Sequence, residues 1–86
     1  MANARSVVVD ALAAASDGAI AEDVLDGLRA GGDIALDTLN LTSLKRFEII
    51  MRIEEVFAIE VDDDEVMEQE SIASLIAMVE AKRQSA

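Results

Sequence analysis

The sequence predicts an all-α fold: a small antiparallel bundle of three main helices plus a short third helix placed before the last. Apolar residues recur at helical spacing in several separate stretches. No proline interrupts them, and strand-like alternation is confined to Ile59-Glu60-Val61. The 86 residues make one domain, 1–86, near the small end for folding alone. A chain of this size buries only about 60–65% of its unfolded surface, so every large apolar residue counts. Hydrophobic residues make up 52% of the chain, and Phe47 and Phe57 are its only aromatic side chains, so the core must be built of Leu, Ile, Val, Met and Ala.

Residues 4–15, ARSVVVDALAAA, predict the first helix. Val8, Leu12 and Ala15 have helical spacing, and Ser16-Asp17-Gly18 supplies the stop. Val7–Val9 alone suggests a strand, but a three-residue run in an Ala-rich stretch gives it little length. Next, Ile20, Val24 and Leu28 recur every four residues and Gly31-Gly32 reads as a C-terminal stop. This fits either a separate helix over 19–30 or a continuation of the first helix beyond Gly18. Leu36, Leu39 and Leu41 are expected to plug the core from an irregular segment in which Asn40 tolerates left-handed backbone.

The second main helix lies within Leu39–Phe57, LNLTSLKRFEIIMRIEEVF, with Thr42 as N-cap and Ser43 in its first turn. At about 100° per residue, Ile49, Ile50, Ile53, Val56 and Phe57 fall on one broad core face, while Lys45, Glu48, Arg52 and Glu55 fall opposite. Leu44 and Met51 lie one heptad apart beside Glu48 and Glu55, forming a minor apolar stripe edged by acids. One face is enough to fold against a core; the second stripe suits contact with another molecule. After Phe57 a short extended exit leads to Asp62–Glu65, acids that suit the start of the short third helix, with Val66 and Met67 as its core contacts. Ser71 then caps the last helix, whose stripe is Ile72, Leu75, Ile76 and Val79 and whose C-terminal end carries Lys82-Arg83. Gln84–Ala86 are expected to fray.

Charge narrows the function. With 7 basic and 18 acidic residues the net charge is −11, which argues against nucleic acid and anionic membranes as partners. It favours basic protein partners and fast, salt-sensitive encounters. There is no Cys, hence no disulfide framework and no thiol nucleophile. There is no His, so zinc sites and His-based acid–base catalysis are excluded. Asp62–Glu65 invites a calcium-loop reading, but the EF-hand pattern requires a glycine that is missing here. No metal site is expected beyond weak divalent screening of the acids. No signal peptide or spanning segment is seen, and the reading is a soluble, cytoplasmic monomer.

Several pieces stand in one register: the lead-in LDTLNL, Thr42-Ser43-Leu44, the acid five residues on at Glu48, Glu54-Glu55-Val56-Phe57, and the acidic exit. Together they resemble the phosphopantetheine-dependent carrier proteins, the acyl carrier family, over residues 36–82. The family motif is Asp-Ser-Leu at the start of the second helix; here Thr42 replaces the Asp, and Asn40 replaces the usual Gly before the motif. The resemblance implies an acyl carrier protein, not an enzyme, with 4′-phosphopantetheine from coenzyme A attached to Ser43. The arm would supply the thiol that the chain lacks. The implied partners are a phosphopantetheinyl transferase, an acyl ligase and acyl-transferring or modifying enzymes of fatty acid or polyketide biosynthesis with basic docking patches. Docking is implied through Leu44, Glu48, Met51 and Glu55, the residues the helical wheel also singles out. An aminoacyl or peptidyl cargo is one alternative, and an acidic interaction module with no prosthetic group is another.

The chemistry of Ser43 agrees. A catalytic serine needs a base beside it, whereas a modified serine needs exposure, rigidity and a partner. A helix start offers rigidity, unpaired N–H groups and a positive dipole end suited to a phosphodiester. Lys45 and Arg46 stand where the family commonly has an acid or a small polar residue. They either neutralise the arm's phosphate, or select partners by repelling the basic patches of general synthase enzymes, or form a merely solvated first turn.

Overall fold

A computed structural model describes residues 3–85. Five α-helices follow in order: α1 (Ala4–Ser16), α2 (Glu22–Arg29), α3 (Ser43–Phe57), α4 (Asp63–Met67) and α5 (Ile72–Ser85), with a 3-10 turn at Leu36–Leu39. The all-α expectation holds, and no strand occurs among the described residues.

α1 is the central element, touching α2, α3 and α5. Asn3 caps it, accepting from the Ser6 N–H at 2.7 Å. The chain leaves it through left-handed Asp17 (φ 51°) and Gly18 (φ 85°), so the stop at Ser16-Asp17-Gly18 is real. Val7, Val8 and Val9 are all buried, because neighbours on several sides cover more than one stripe of the helix.

The open alternative over 19–30 resolves as a separate helix. α2 buries Leu25 and Leu28, while Ile20 and Val24 are half-buried. Arg29 ties it to Asp10 of α1 at 3.2 Å. The Arg5 guanidinium donates to the Leu28 and Gly32 carbonyls at 2.7 and 2.9 Å, supplying partners at the end of α2. Gly32 N–H donates to Gly27 O at 2.8 Å, and a Cβ on Gly32 would lie 2.8 Å from that oxygen, so only glycine closes this end without a shift.

The segment after α2 crosses to the start of α5 and is joined to it by backbone bonds. Ile72 N–H donates to Ile34 O at 3.0 Å and Leu36 N–H donates to Glu70 O at 2.9 Å. The Asp33 carboxylate accepts from both Ile34 and Ala73 N–H at 2.8 Å. Leu36, Leu39 and Leu41 then plug the core, half-buried, as expected.

In α3, Ile49, Ile50 and Ile53 are buried and Phe57 is half-buried. Val56, expected on the core face, is exposed. It lies at the edge of the stripe in the last turn, and the three isoleucines fill the buried sector. Ile59 and Val61 turn inward from the exit segment. α4 buries Val66, but Met67, expected as a core contact, is exposed. A five-residue helix has one inward position, and the next residue is rotated by about 100° out of it. Ser71 Oγ accepts from Ser74 N–H at 3.2 Å, and Ile72, Leu75, Ile76 and Val79 are all buried. α5 extends to Ser85, so Gln84 is helical rather than frayed, and Ala86 lies outside the described residues. Helical spacing without a terminator lets the last helix continue.

No polar side chain is buried among the described residues, and the core is aliphatic. The Phe57 ring lies against it and stacks under the Arg83 guanidinium, 4.2 Å from the ring centroid.

Candidate functional site

Ser43 is the first helical residue of α3, fixed by what precedes it. Asn40 takes left-handed backbone (φ 51°), the conformation its short polar side chain tolerates, and turns the chain into the helix. Leu39 and Leu41 anchor that turn to the core. Thr42 is extended, and its hydroxyl accepts from Lys45 N–H at 3.2 Å. Replacing the family's Asp by Thr therefore keeps the cap. Arg46 N–H makes the first bond of the α3 ladder, to Thr42 O at 3.0 Å, so the N–H groups of Ser43 and Leu44 precede it.

The Ser43 side chain is exposed, whereas Ser6, Ser16, Ser71 and Ser74 are half-buried. Ser16, Ser71 and Ser74 spend their hydroxyls on local backbone bonds. No carboxylate bonds to the Ser43 hydroxyl among the described residues; its side-chain partner is Arg46, whose Nη2 lies 3.4 Å from Oγ. A hydroxyl beside a cation and without a base is not prepared to attack a substrate by itself. It is accessible to another enzyme, and the guanidinium and helix start fit an anion placed on it.

Arg46 reaches further than its own helix. Nη1 lies 3.4 Å from Leu41 O and Nε lies 3.4 Å from Asp63 Oδ1, at the start of α4. All three contacts are long for charge-assisted bonds, so the guanidinium is lodged rather than locked. Lys45 is half-buried and takes part in none of the ion pairs among the described residues.

Beside Ser43 lies a cavity of about 230 Å³. Its walls are Val8 and Leu12 of α1, Ile49 of α3, and Ile72 and Leu75 of α5. Asp37, Asn40, Arg46, Gln69 and the exposed Met67 also line it. Met67, turned out of the core, is one of the residues of its border.

A second feature runs along the outside of α3. Leu44, Phe47 and Met51 are 64%, 56% and 41% exposed, and with Glu48, Arg52 and Glu55 they line a shallow groove against Ala11, Ala14 and Ala15 of α1. All four expected docking residues, Leu44, Glu48, Met51 and Glu55, are exposed on this side. The sequence reading left out Phe47. The signal was present, since Phe47 stands three residues after Leu44 and four before Met51.

Two carboxyls have shifted acidity. Ala73 N–H, followed by Ile34 N–H and the Ser71 hydroxyl, holds Asp33 below the usual carboxylate range. The Lys82 ammonium, 2.8 Å away, and then Asp62 N–H hold Glu65 below it. No group of three or more acids among the described residues converges to hold a metal ion. No described helix is long and apolar enough to cross a membrane.

Residues 19–79 match the family model described as the phosphopantetheine attachment site, well over half of the chain. The match takes in α2 as well as α3 and α4, and so begins earlier than the motif resemblance alone. Searches of the curated proteins and of the solved structures return no match. The exposed serine at a helix start, the helical fold and the matched span agree: the chain belongs to the phosphopantetheine-binding family of acyl and peptidyl carrier proteins, whose members bear 4′-phosphopantetheine covalently on a serine.

Proposed function

We propose that Ser43 bears the arm and that the chain is an acyl carrier protein. The observation that carries this is the position of Ser43: it is the exposed serine among those whose side chains are described, it opens α3, and its hydroxyl lies 3.4 Å from Arg46, which lines the cavity. When bound, 4′-phosphopantetheine supplies a terminal thiol on which cargo is held as a thioester. Asn40 and Thr42 hold the helix start rigid, so that the attachment point keeps one orientation toward successive partners. The N–H groups of Ser43 and Leu44, with the Arg46 guanidinium, stabilise the anion attached there.

The cavity favours an acyl over an aminoacyl cargo. Val8, Leu12, Ile49, Ile72 and Leu75 give it an aliphatic wall, with Asp37, Asn40, Arg46 and Gln69 as its polar lining, and its volume of about 230 Å³ is several times the ~30 Å³ share of a water molecule. An apolar chain gains by leaving water for the aliphatic wall, at about 0.8 kcal/mol per buried methylene; a charged amino group gains nothing against that wall. Leu44, Glu48, Met51 and Glu55, joined by Phe47, form the face offered to the transferase, the acyl ligase and other enzymes with basic docking patches. Lys45, beside that face, discriminates among them by repelling the more basic patches. The carrier acts as a cytoplasmic monomer in fatty acid or polyketide biosynthesis.

Incubation with coenzyme A and a broad-specificity phosphopantetheinyl transferase tests the attachment. Intact mass is expected to rise by one phosphopantetheine, and Ser43→Ala to abolish the gain without changing the circular dichroism. A gain that survives Ser43→Ala would refute the assignment. The acyl group on protein purified from its own cells tests the cargo: an aliphatic chain is expected, and an amino acid would reverse the choice.

A further inference from the structure

Arg46 joins three separate places: the Leu41 carbonyl before α3, the Ser43 hydroxyl, and the Asp63 carboxylate that begins α4. α4 is only five residues long and buries a single side chain, Val66. Two ion pairs reach it from other helices, Arg46–Asp63 at 3.4 Å and Lys82–Glu65 at 2.8 Å. The weaker of the two therefore ends on the guanidinium that touches the modifiable hydroxyl.

We propose that Arg46 exchanges Asp63 for the phosphodiester formed on Ser43, so that loading the arm loosens α4 from α3. This rests on Ser43 as the attachment point. In a phosphodiester on Ser43, Oγ, now 3.4 Å from Nη2, becomes the bridging ester oxygen, and the negative charge lies on the non-bridging oxygens of the phosphorus bonded to it, within reach of the same guanidinium. These oxygens accept in pairs from the planar guanidinium fork, whereas Asp63 meets only Nε, at the same distance. The α3 N-terminus further favours the phosphate over a carboxylate across the gap. Asp63 is exposed and loses little when released, because water and the first turn of α4 receive its charge. The exchange thus leaves no charge buried. Removing one of two ties lets α4 open more often, and the border of the cavity at Met67 opens with it.

The test is amide hydrogen exchange on the full chain before and after loading, with attachment scored first by intact mass. In the wild type, α4 amides from Glu65 to Glu68 are expected to exchange about two- to five-fold faster once the arm is attached, the range that the loss of one exposed ion pair allows. Arg46→Gln and Asp63→Asn should show the faster α4 exchange before loading and no further change after it. Lys45→Gln, brought to complete loading as scored by intact mass whatever its loading rate, should show the wild-type change in α4 exchange, which separates Arg46 from general charge near Ser43. The Arg46 Nε–Hε resonance is expected to move on loading in the wild type and to stay unmoved by coenzyme A without transferase. A mass gain with unchanged α4 exchange overturns the partner exchange alone. No mass gain at Ser43 overturns the attachment and the exchange together.

Discussion

Two junctions flank the attachment point, and they are held in different ways. Before Ser43, the segment around Asp33–Leu36 is bonded to the start of α5 through backbone groups, with Asp33 bridging to Ala73 N–H across 40 positions of sequence. After α3, the short α4 is tied back mainly by side chains, Arg46 to Asp63 and Lys82 to Glu65, around one buried valine. Backbone bonds have fixed geometry and do not respond to salt. These ion pairs are only partly buried, and pairs that water can reach are weaker, screened by salt and exchangeable. The molecule therefore holds the approach to Ser43 firmly, and leaves the far border of the cavity adjustable.

The largest expected contrast comes from truncating one core residue on each side. Ile72→Ala, at the firm junction, is expected to lower unfolding stability by about 3 kcal/mol, because a fully packed site cannot collapse around the void. Val66→Ala on α4 should cost less than about 2 kcal/mol globally while making α4 amides exchange faster, because the helix can detach by itself. Denaturant melts and hydrogen exchange check both, and equal global losses would break the distinction.

A smaller contrast is expected in acid. Asp33 and Glu65 both have folded pKa values below their unfolded ones. Each therefore stabilises the fold above the usual carboxylate range, and the contribution disappears as pH falls through the depressed folded value. In 1 M salt, where the screening length is about 3 Å, the Glu65 value should rise part of the way toward normal, because Lys82 acts on it through charge as well as through its hydrogen bond. Asp33 should stay depressed, because its main cause is the N–H of Ala73. Carboxyl-carbon titrations at two salt concentrations read both, and a common rise would mean that the two junctions are held alike.

The smallest effect on stability belongs to a residue outside both junctions. Phe47→Ala should change unfolding free energy by no more than about 0.5 kcal/mol, because the ring is already half in water. The same change should slow arm transfer or weaken binding to an acyl-transferring enzyme, measured by competition against the unmodified chain. Unaltered transfer and binding would remove Phe47 from the docking face.

The parts legible in sequence were those decided locally. Thr42 as cap, left-handed Asn40, the stop at Asp17-Gly18 and the α5 stripe each depend on a few neighbouring residues, and the structure agrees with all four. Val56 and Met67 were misplaced because periodicity says which side a residue takes, not whether anything covers that side. Arg46–Asp63 and Asp33–Ala73 were invisible because their partners are brought together by packing rather than by spacing. Phe47 is legible too, at helical spacing from both Leu44 and Met51, but a heptad pair alone does not mark the residue between its members.

No aromatic side chain lines the cavity; its walls are methyl-bearing aliphatics such as Leu12, Ile49 and Leu75. A guest containing a benzene ring would therefore bring a ring current to walls that have none of their own. Upfield displacement of those methyl resonances would distinguish an aryl from an alkyl cargo before the bound molecule had been isolated.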